Sequence, residues 1–209
     1  DDGFQHQYVK RDLNILLTDF SNPFYKDSVL PIGGLREHRK GAERADIIIV
    51  TKCPKDLSPA IENEIKKRIS CYSSATIFFT KISYETPINH HNNKTSIDSK
   101  KKYLLITSIA NPYPIYEHLN ENNIQFTTKK YRDHHNFTKT QIQDIIKIGR
   151  QYDAIITSEK DWMRLKETEL INAVSLDIVR LRMNMEFIYS KENLKFKDQI
   201  TTLINKTTP

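Results

Sequence analysis

The sequence predicts an α/β protein of two lobes, each a largely parallel sheet covered by helices. Short apolar runs such as residues 46–51 alternate with helical periods, which is the pattern of buried strands joined by crossover helices. A polar, asparagine-rich tract at residues 87–96, followed by lysines at 100–102, interrupts the alternation near the middle of the chain. We therefore expect a lobe on either side of this tract, which we interpret as a linker or a hairpin tip.

The first lobe is predicted to run strand, loop, strand, helix, strand. Its strands are expected at 13–18, 46–51 and 76–82. Ser58 and Pro59 predict the start of the helix, because serine caps a helix well and proline is tolerated at the first helical position. One face of this helix is expected to be buried through Ile61, Ile65 and Ile69.

The second lobe repeats the alternation of strands and helices. Strands are expected at 103–107, 124–130, 153–157 and 175–182, with helices at 112–122 and 138–151 and a short one from Glu159. The extended stretch 183–189 and a final helix at 191–205 are expected to return to the first lobe. The predicted domains are therefore 1–84 with 184–209, a two-stranded linker or hairpin at 85–102, and 103–183.

Composition limits the classes of function. With 209 residues, 38% of them hydrophobic, the chain has enough apolar surface to bury a core. A net charge of +6 and a pI near 9.1 favour partners that carry phosphate or anionic lipid. Cys53 and Cys71 form no CxxC motif and are expected to be small core residues in a reducing compartment. No apolar run approaches membrane-spanning length, so any membrane contact is expected to be peripheral.

Two adjacent carboxylates, Asp1 and Asp2, are the first candidate site. They precede Gly3, which allows a tight turn, and Arg11 leads towards the next strand. The segment is therefore typical of a loop at a sheet edge, where α/β proteins bind ligands, and an acidic pair there can hold Mg²⁺ beside a nucleotide phosphate. The alternative interpretation is a solvated polar terminus.

The second candidate is the loop LPIGGLREH at residues 30–38. Gly33 and Gly34 allow the backbone to approach an anion closely, Arg36 offers a planar fork for phosphate, and Glu37 can complete a metal site. An ordinary glycine turn before a solvated helix accounts for the same residues equally well.

Two further candidates follow strands of the second lobe. In YRDHHNFT, at residues 131–138, a histidine held by Asp133 can share a proton with a catalytic acid. Metal binding by the paired histidines is the weaker interpretation, because no further ligand has a suitable spacing. The last candidate consists of Thr157, Ser158, Glu159, Lys160 and Asp161. These residues can form an anion or nucleotide pocket at the start of a helix. The alternative interpretation is an ordinary capped helix.

Taken in order, the segments DDGFQH, LPIGGLREH, ADIIIVTK, YRDHHNFT and IITSEKD closely resemble the tetraacyldisaccharide 4'-kinase family over nearly the whole chain. That family phosphorylates a lipid A precursor in Gram-negative bacteria. The resemblance implies a P-loop kinase of two Rossmann-like lobes that uses ATP and Mg²⁺. It also implies a glycolipid disaccharide substrate and peripheral contact with the cytoplasmic face of the inner membrane.

The resemblance implies roles in the first lobe. Asp1 and Asp2 match the family's acidic pair, which serves Mg²⁺ and the phosphates. Arg36 matches an arginine expected near phosphate, and Glu37 a glutamate expected near the metal. His38 departs from the family pattern, because many members carry proline there.

Roles in the second lobe follow in the same way. His134 matches a histidine that pairs with an aspartate acting as catalytic base, and we prefer it to His135 because it directly follows Asp133. Residues 157–161 match a segment that faces the interlobe cleft and are expected to bind ATP. The resemblance thus implies catalytic roles for His134, Asp133 and Arg36.

A phosphate-binding GxxxxGK[ST] loop is absent from this sequence, because none of its five glycines begins such a motif. The family places that loop, the catalytic aspartate and an N-terminal membrane-contacting helix before DDGFQH. We therefore expect the chain to be the carboxyl-terminal part of the kinase, inactive by itself, with an incomplete first lobe and an open sheet edge.

Two other classes compete with this prediction. A non-catalytic α/β module that binds nucleotides or anions would use the same loops to cap helices. A nucleic-acid-binding protein is suggested by the basic pI, but the lysines are scattered and no basic motif interleaved with aromatic residues is present. A GxxxxGK[ST] loop encoded before Asp1 would favour the kinase.

Overall fold

A computed structural model describes residues 3–6, 8, 10–170 and 177–207, with side chains as far as residue 202. The chain forms two compact units, one of Asp1–Ile82 with Met185–Pro209 and the other of Ser83–Asn184. Both units combine helices with largely parallel sheets, which confirms the predicted α/β class. Residues 85–102, predicted as a linker or a hairpin, lie in the second unit.

The sheet of the first unit has the strand order β1, β2, β3, β9. The strands are β1 (Ile15–Asp19), β2 (Ile47–Thr51), β3 (Thr76–Tyr84) and β9 (Met183–Phe187). The first three are parallel, with Ile15 opposite Ile47 and Ile47 opposite Thr76. Within the described residues β1 is an edge strand, and its Leu17 is 62% exposed.

Helix α1 (Pro59–Ser70) covers one face of this sheet. The Ser58 hydroxyl accepts a hydrogen bond from the Ile61 backbone N–H at 3.4 Å, so the predicted cap is present. Ile65 and Ile69 are buried in a cluster with Ile48, Val50 and Phe79. Ile61 is 44% exposed, so its predicted burial is wrong: the apolar face begins one turn after the cap.

The last helix, α5 (Ser190–Thr207), packs against the same sheet. Its Phe196 lies edge-on to Phe78 of β3, with ring centroids 5.5 Å apart, and also contacts Phe187 of β9. The Gln199 amide donates to the Thr76 hydroxyl at 3.0 Å. The carboxyl-terminal segment is therefore part of the first unit.

The sheet of the second unit has the strand order β4, β8, β7, β5, β6. Its strands are β4 (Ile88–Asn89), β5 (Lys102–Thr107), β6 (Gln125–Lys130), β7 (Ala154–Ser158) and β8 (Asp177–Leu181). Its helices are α2 (Tyr113–Glu121), α3 (Lys139–Gly149) and α4 (Glu159–Leu165). Separate apolar clusters form on the two sides of the sheet, one with Leu105 and the other with Leu104, which is why β5 reads as a continuous apolar run.

The polar tract at 87–96 forms an ordered hairpin. Strand β4 pairs antiparallel with β8, and the Asn89 side-chain oxygen accepts from the backbone N–H groups of His91 and Asn93, each at 3.0 Å. Asn92 has a φ of 67°, which asparagine tolerates, and its side-chain oxygen accepts from Arg180 at 2.6 Å. Asparagine side chains thus satisfy the turn locally.

The two cysteines lie in different surroundings. Cys53 is buried, and burial raises the pKa of its thiol to about 12. Cys71, at the end of α1, is exposed, so its predicted core position is wrong. No helix in the described residues is long and apolar enough to cross a bilayer.

Alkylation should therefore separate the two cysteines. At about pH 8 we expect iodoacetamide to modify Cys71 of the folded protein and to spare Cys53, because the thiolate is the reactive form and Cys53 remains protonated. Peptide mass spectrometry over time measures this, with the unfolded protein as control. Equal rates at both cysteines in the folded protein would contradict the assigned burial.

The interior strand β5 of the second unit should be sensitive to cavities. Leu105 is fully buried, so Leu105→Ala should lower the free energy of unfolding by about 3 kcal/mol. Met163 is 52% exposed on α4, and Met163→Ala is the control, expected to change stability by less than about 0.5 kcal/mol. Urea denaturation measures both; similar losses would contradict the assigned core.

Candidate functional site

Two arginines fix the first candidate loop. Residues Gly3–Gln5 form a short 3-10 helix, and Arg11 donates to the backbone carbonyls of Gly3, Phe4 and His6 at 2.9 to 3.0 Å. The Arg44 guanidinium lies over the Phe4 ring, 4.9 Å from its centroid. Asp1 and Asp2, predicted to serve a metal, lie outside the described residues.

The second candidate loop lies beside the first. A cleft of about 400 Å³ is lined by the Gly3–Gln5 turn, by β1 residues including Leu16 and by residues 35–39. The structure therefore brings together two segments that are separated in the chain, and Arg36 and Glu37 lie at their meeting point.

Glu37 is engaged in an ion pair. Its two carboxylate oxygens accept from Arg44 Nη2 at 2.7 and 2.9 Å. Arg36 is exposed and lines the cleft. Among residues 3–6, 8, 10–170 and 177–202, no group of three His, Cys, Asp or Glu side chains could hold a metal ion. Of the three residues predicted to bind Mg²⁺, Asp1, Asp2 and Glu37, only Glu37 lies in the described residues. Its carboxylate contacts the Arg44 guanidinium.

The loop with Gly33 and Gly34 packs around the carboxylate of Asp27. The Asp27 carboxylate accepts from the backbone N–H groups of Ser28 at 2.7 Å and Gly34 at 3.1 Å. A Cβ at Gly33 would lie 2.3 Å from the Ser28 carbonyl oxygen, so only glycine fits. Close approach to an anion was predicted, but Asp27 already occupies that place. The His38 ring accepts from the Lys40 N–H at 3.3 Å and caps the 3-10 helix Arg39–Arg44.

The second unit has its own candidate site, at the carboxyl ends of its parallel strands. Strand β5 pairs in parallel with both β6 and β7, so the order in which strands join the sheet reverses at β5, the position where α/β proteins bind ligands. Ser108 follows β5, and Ser158 ends β7 and caps α4.

A buried carboxylate joins these two strand ends. Asp161 is fully buried and accepts from the Ser108 N–H at 3.1 Å, the Ser108 hydroxyl, and the Ser158 hydroxyl at 2.8 Å. Arg164, one turn further along α4, lies 3.5 Å from the same carboxylate and donates to the Ser108 hydroxyl at 3.3 Å. The carboxylate thus orients both Ser108 and Arg164.

His134 lies between two cationic side chains. Its Nδ1 is 3.2 Å from Arg164 Nη2, and its Nε2 is 3.4 Å from Lys160 Nζ. Its backbone has a φ of 57° and is held by N–H donation to the Ser108 carbonyl oxygen at 3.2 Å. Asp133 is 3.7 Å from His134 Nε2 and 3.6 Å from Lys160 Nζ.

The neighbouring histidine has a different environment. His135 Nε2 lies 2.8 Å from the Gln141 side-chain oxygen, and its ring stacks on Tyr131 with centroids 4.9 Å apart. Gln141 and Thr138 form the capping box of α3. His135 is therefore tied to a helix start, whereas the His134 side chain is 70% exposed.

The predicted segment 157–161 divides into inward and outward side chains. Thr157, Ser158 and Asp161 are fully buried, and Glu159 pairs with Arg180 at 3.4 Å. The Lys160 side chain is 47% exposed and faces Asp133. Sequence reasoning missed Ser108 and Arg164. The position of Ser108 directly after a predicted strand, and the three-residue spacing of Asp161 and Arg164 on a helix, were the available signals.

Comparison with known proteins gives a consistent result. The sequence profile of the LpxK family, described as tetraacyldisaccharide-1-P 4'-kinase, matches residues 1–205. A tetraacyldisaccharide 4'-kinase of Flavobacterium psychrophilum is 40% identical over 97% of this chain and 60% of its own length. One from Phocaeicola vulgatus is 34% identical over 99% of this chain and 59% of its own length. The chain therefore spans about 60% of the length of these relatives.

A solved structure shares the fold. It is a crystal structure of LpxK from Aquifex aeolicus in complex with ATP, and it superimposes with a TM-score of 0.61 at 20% sequence identity. The match covers 98% of this chain and 55% of the other.

Loss of the buried charge should destabilise the second unit. In Asp161→Asn an amide N–H₂ would face donors of Ser108 or Ser158, so we expect the free energy of unfolding to fall by about 3 kcal/mol. Asp144→Asn is the control: Asp144 is exposed and pairs with Lys129 at 3.3 Å, so a change below about 1 kcal/mol is expected. Denaturant melts measure both, and a loss for Asp161→Asn no larger than for the control would contradict the assignment.

Proposed function

The chain belongs to the tetraacyldisaccharide-1-P 4'-kinase family, and from this premise we propose that it takes part in transferring a phosphoryl group from ATP to the 4' hydroxyl of a tetraacyldisaccharide 1-phosphate. The match of the family profile to residues 1–205 is the observation that carries the proposal. The meeting of the Gly3–Gln5 turn and residues 35–39 at one cleft supports it.

The first unit contributes charge near the phosphates. Arg36, exposed at the cleft, offers a planar guanidinium that can bind phosphate oxygens in pairs. Asp1, Asp2 and Glu37 are the residues that would hold Mg²⁺, since carboxylate oxygens are its preferred protein ligands. Bound there, the ion would neutralise charge that develops on the transferred group. The Glu37 carboxylate would then contact the ion in place of Arg44 or together with it.

The second unit contributes a polar group for proton movement. His134 is exposed, and the Asp133 carboxylate lies 3.7 Å from its Nε2. A histidine near an acidic partner can hold and pass on a proton, so we assign His134, with Asp133, to the support of the aspartate that the family uses as catalytic base for the acceptor hydroxyl. Lys160, beside them, is the exposed charge of the segment predicted to bind ATP.

The substrate class sets the proposed location. A glycolipid with four acyl chains stays in the bilayer, so the protein would work at the cytoplasmic face of the inner membrane by peripheral contact. The net charge of +6 favours approach to an anionic lipid surface.

A chimera tests the proposed function. It joins this chain to the part of the Flavobacterium psychrophilum relative that the chain does not match. We expect it to transfer labelled phosphate from ATP to tetraacyldisaccharide 1-phosphate in detergent micelles, and Arg36→Gln to slow the transfer at least tenfold, about 1.4 kcal/mol. The relative's part alone is the control. Label no higher than in that control would contradict the proposal.

The role of His134 has a separate test in the same chimera. His134→Ala should lower turnover about a hundredfold and change the KM for ATP by a much smaller factor, because the imidazole is assigned to proton movement. His91→Ala, an exposed histidine on the hairpin, is the control and should keep full turnover. An unchanged kcat in His134→Ala would refute the assignment.

A further inference from the structure

The exposed end of the second unit has the chemistry of an anion site. We propose that Lys160, Arg164 and His134 form a binding site for a phosphate group, which adds Arg164 and the loop at Ser108 to the residues expected to contact ligand. Phosphate binding itself does not depend on the proposed kinase function, but the identification of the molecule that carries the phosphate does.

The contacts of His134 are incomplete without an anion. A neutral imidazole has one N–H and one lone pair, so it can accept at only one of its ring nitrogens. Yet both nitrogens face cationic donors, Arg164 at 3.2 Å and Lys160 at 3.4 Å. At one ring nitrogen, therefore, an imidazole N–H and a cationic N–H face each other without an acceptor. A phosphate group offers several acceptor oxygens to these three side chains and would relieve that opposition.

Of the two carboxylates that pair with these cations, one lies at the surface and the other in the interior. Asp133 lies 3.6 Å from Lys160 and 3.7 Å from His134, beyond hydrogen-bond distance, and its Oδ1 accepts from the His134 backbone N–H at 3.0 Å. Asp161 is fully buried, accepts from Ser108 and the Ser158 hydroxyl, and forms an ion pair with Arg164 at 3.5 Å. Two cations are thus matched by two carboxylates, but because Asp161 is buried, Lys160, Arg164 and His134 face the exposed side with Asp133 as the carboxylate beside them.

The cluster is held in place before any ligand binds. Arg164 is positioned through Nη1 by Asp161 and the Ser108 hydroxyl, and its Nη2 points to His134. The left-handed backbone of His134 is fixed by the Ser108 carbonyl. Such unfavourable backbone conformations are retained where the surrounding contacts impose them, often at ligand sites. The site also lies at β5, where the order in which strands join the sheet reverses.

Two sources of phosphate fit the proposed function. One is the phosphate chain of the nucleotide, and the other is the 1-phosphate of the disaccharide acceptor. Both offer the same tetrahedral group of acceptor oxygens, so they are distinguished by competition rather than by the contacts described above.

The test uses the 209-residue chain and inorganic phosphate at low ionic strength. Backbone amide NMR signals of Ser108 and His134 should shift saturably as phosphate is added. Lys160→Gln should weaken binding about threefold and Arg164→Gln about tenfold. Lys147→Gln removes an exposed charge from α3 of the same unit and should leave the affinity unchanged. Circular dichroism checks the fold of Arg164→Gln; Lys160 is surface-exposed, so its variant tests the site even if Arg164→Gln unfolds.

Competition with ATP and with glucosamine 1-phosphate then identifies the source. Tighter binding of ATP would assign the site to the nucleotide, tighter binding of the sugar phosphate would assign it to the acceptor, and equal binding would assign it to phosphate alone. Each of these results upholds the site. It is overturned if Ser108 and His134 do not shift, or if Lys160→Gln and Lys147→Gln have equal affinity. An inactive chimera with normal phosphate binding would instead refute only the proposed function.

Discussion

The buried carboxylate of Asp161 is the constraint on which the site-bearing end of the second unit depends. A charge with no solvent exposure is tolerated only when donors replace its hydration, and Ser108 and Ser158 supply them from the ends of two neighbouring strands. These donors cannot move independently without leaving the charge unsatisfied. The carboxylate therefore fixes the loop after β5 relative to helix α4 and, through Arg164, the cationic face beside His134.

The two units use their charges differently. In the first unit Arg11 and Arg44 hold a backbone turn, and Arg44 also occupies the carboxylate of Glu37. In the second unit Lys160 and Arg164 converge on His134, and the exposed carboxylate of Asp133 lies 3.6 Å from Lys160. The first arrangement is stable without a ligand. The second places two cationic donors on the two ring nitrogens of one imidazole, and a bound anion would stabilise this arrangement.

Features that depend on residues close together in the chain could be predicted from the sequence. Strands buried on both faces read as apolar runs, and Ser58 and Thr138 were recognisable caps because capping needs only residues close in the chain. Features set by tertiary contacts were not predictable. Ser108 and Arg164 become functional candidates only once Asp161 lies between them, 53 residues from the serine. Likewise, nothing local indicated that Gly34 would serve Asp27.

Crystals of the chain soaked in tungstate, a phosphate analogue visible by anomalous scattering, test the central claim most directly. The claim is that Asp161 holds Arg164 where it can bind an anion together with Lys160 and His134. An anomalous peak within hydrogen-bond distance of the Arg164 and Lys160 nitrogens in the wild type, absent from a folded Asp161→Asn variant, is the predicted result. No peak in the wild type, or an equal peak in the variant, would contradict the claim.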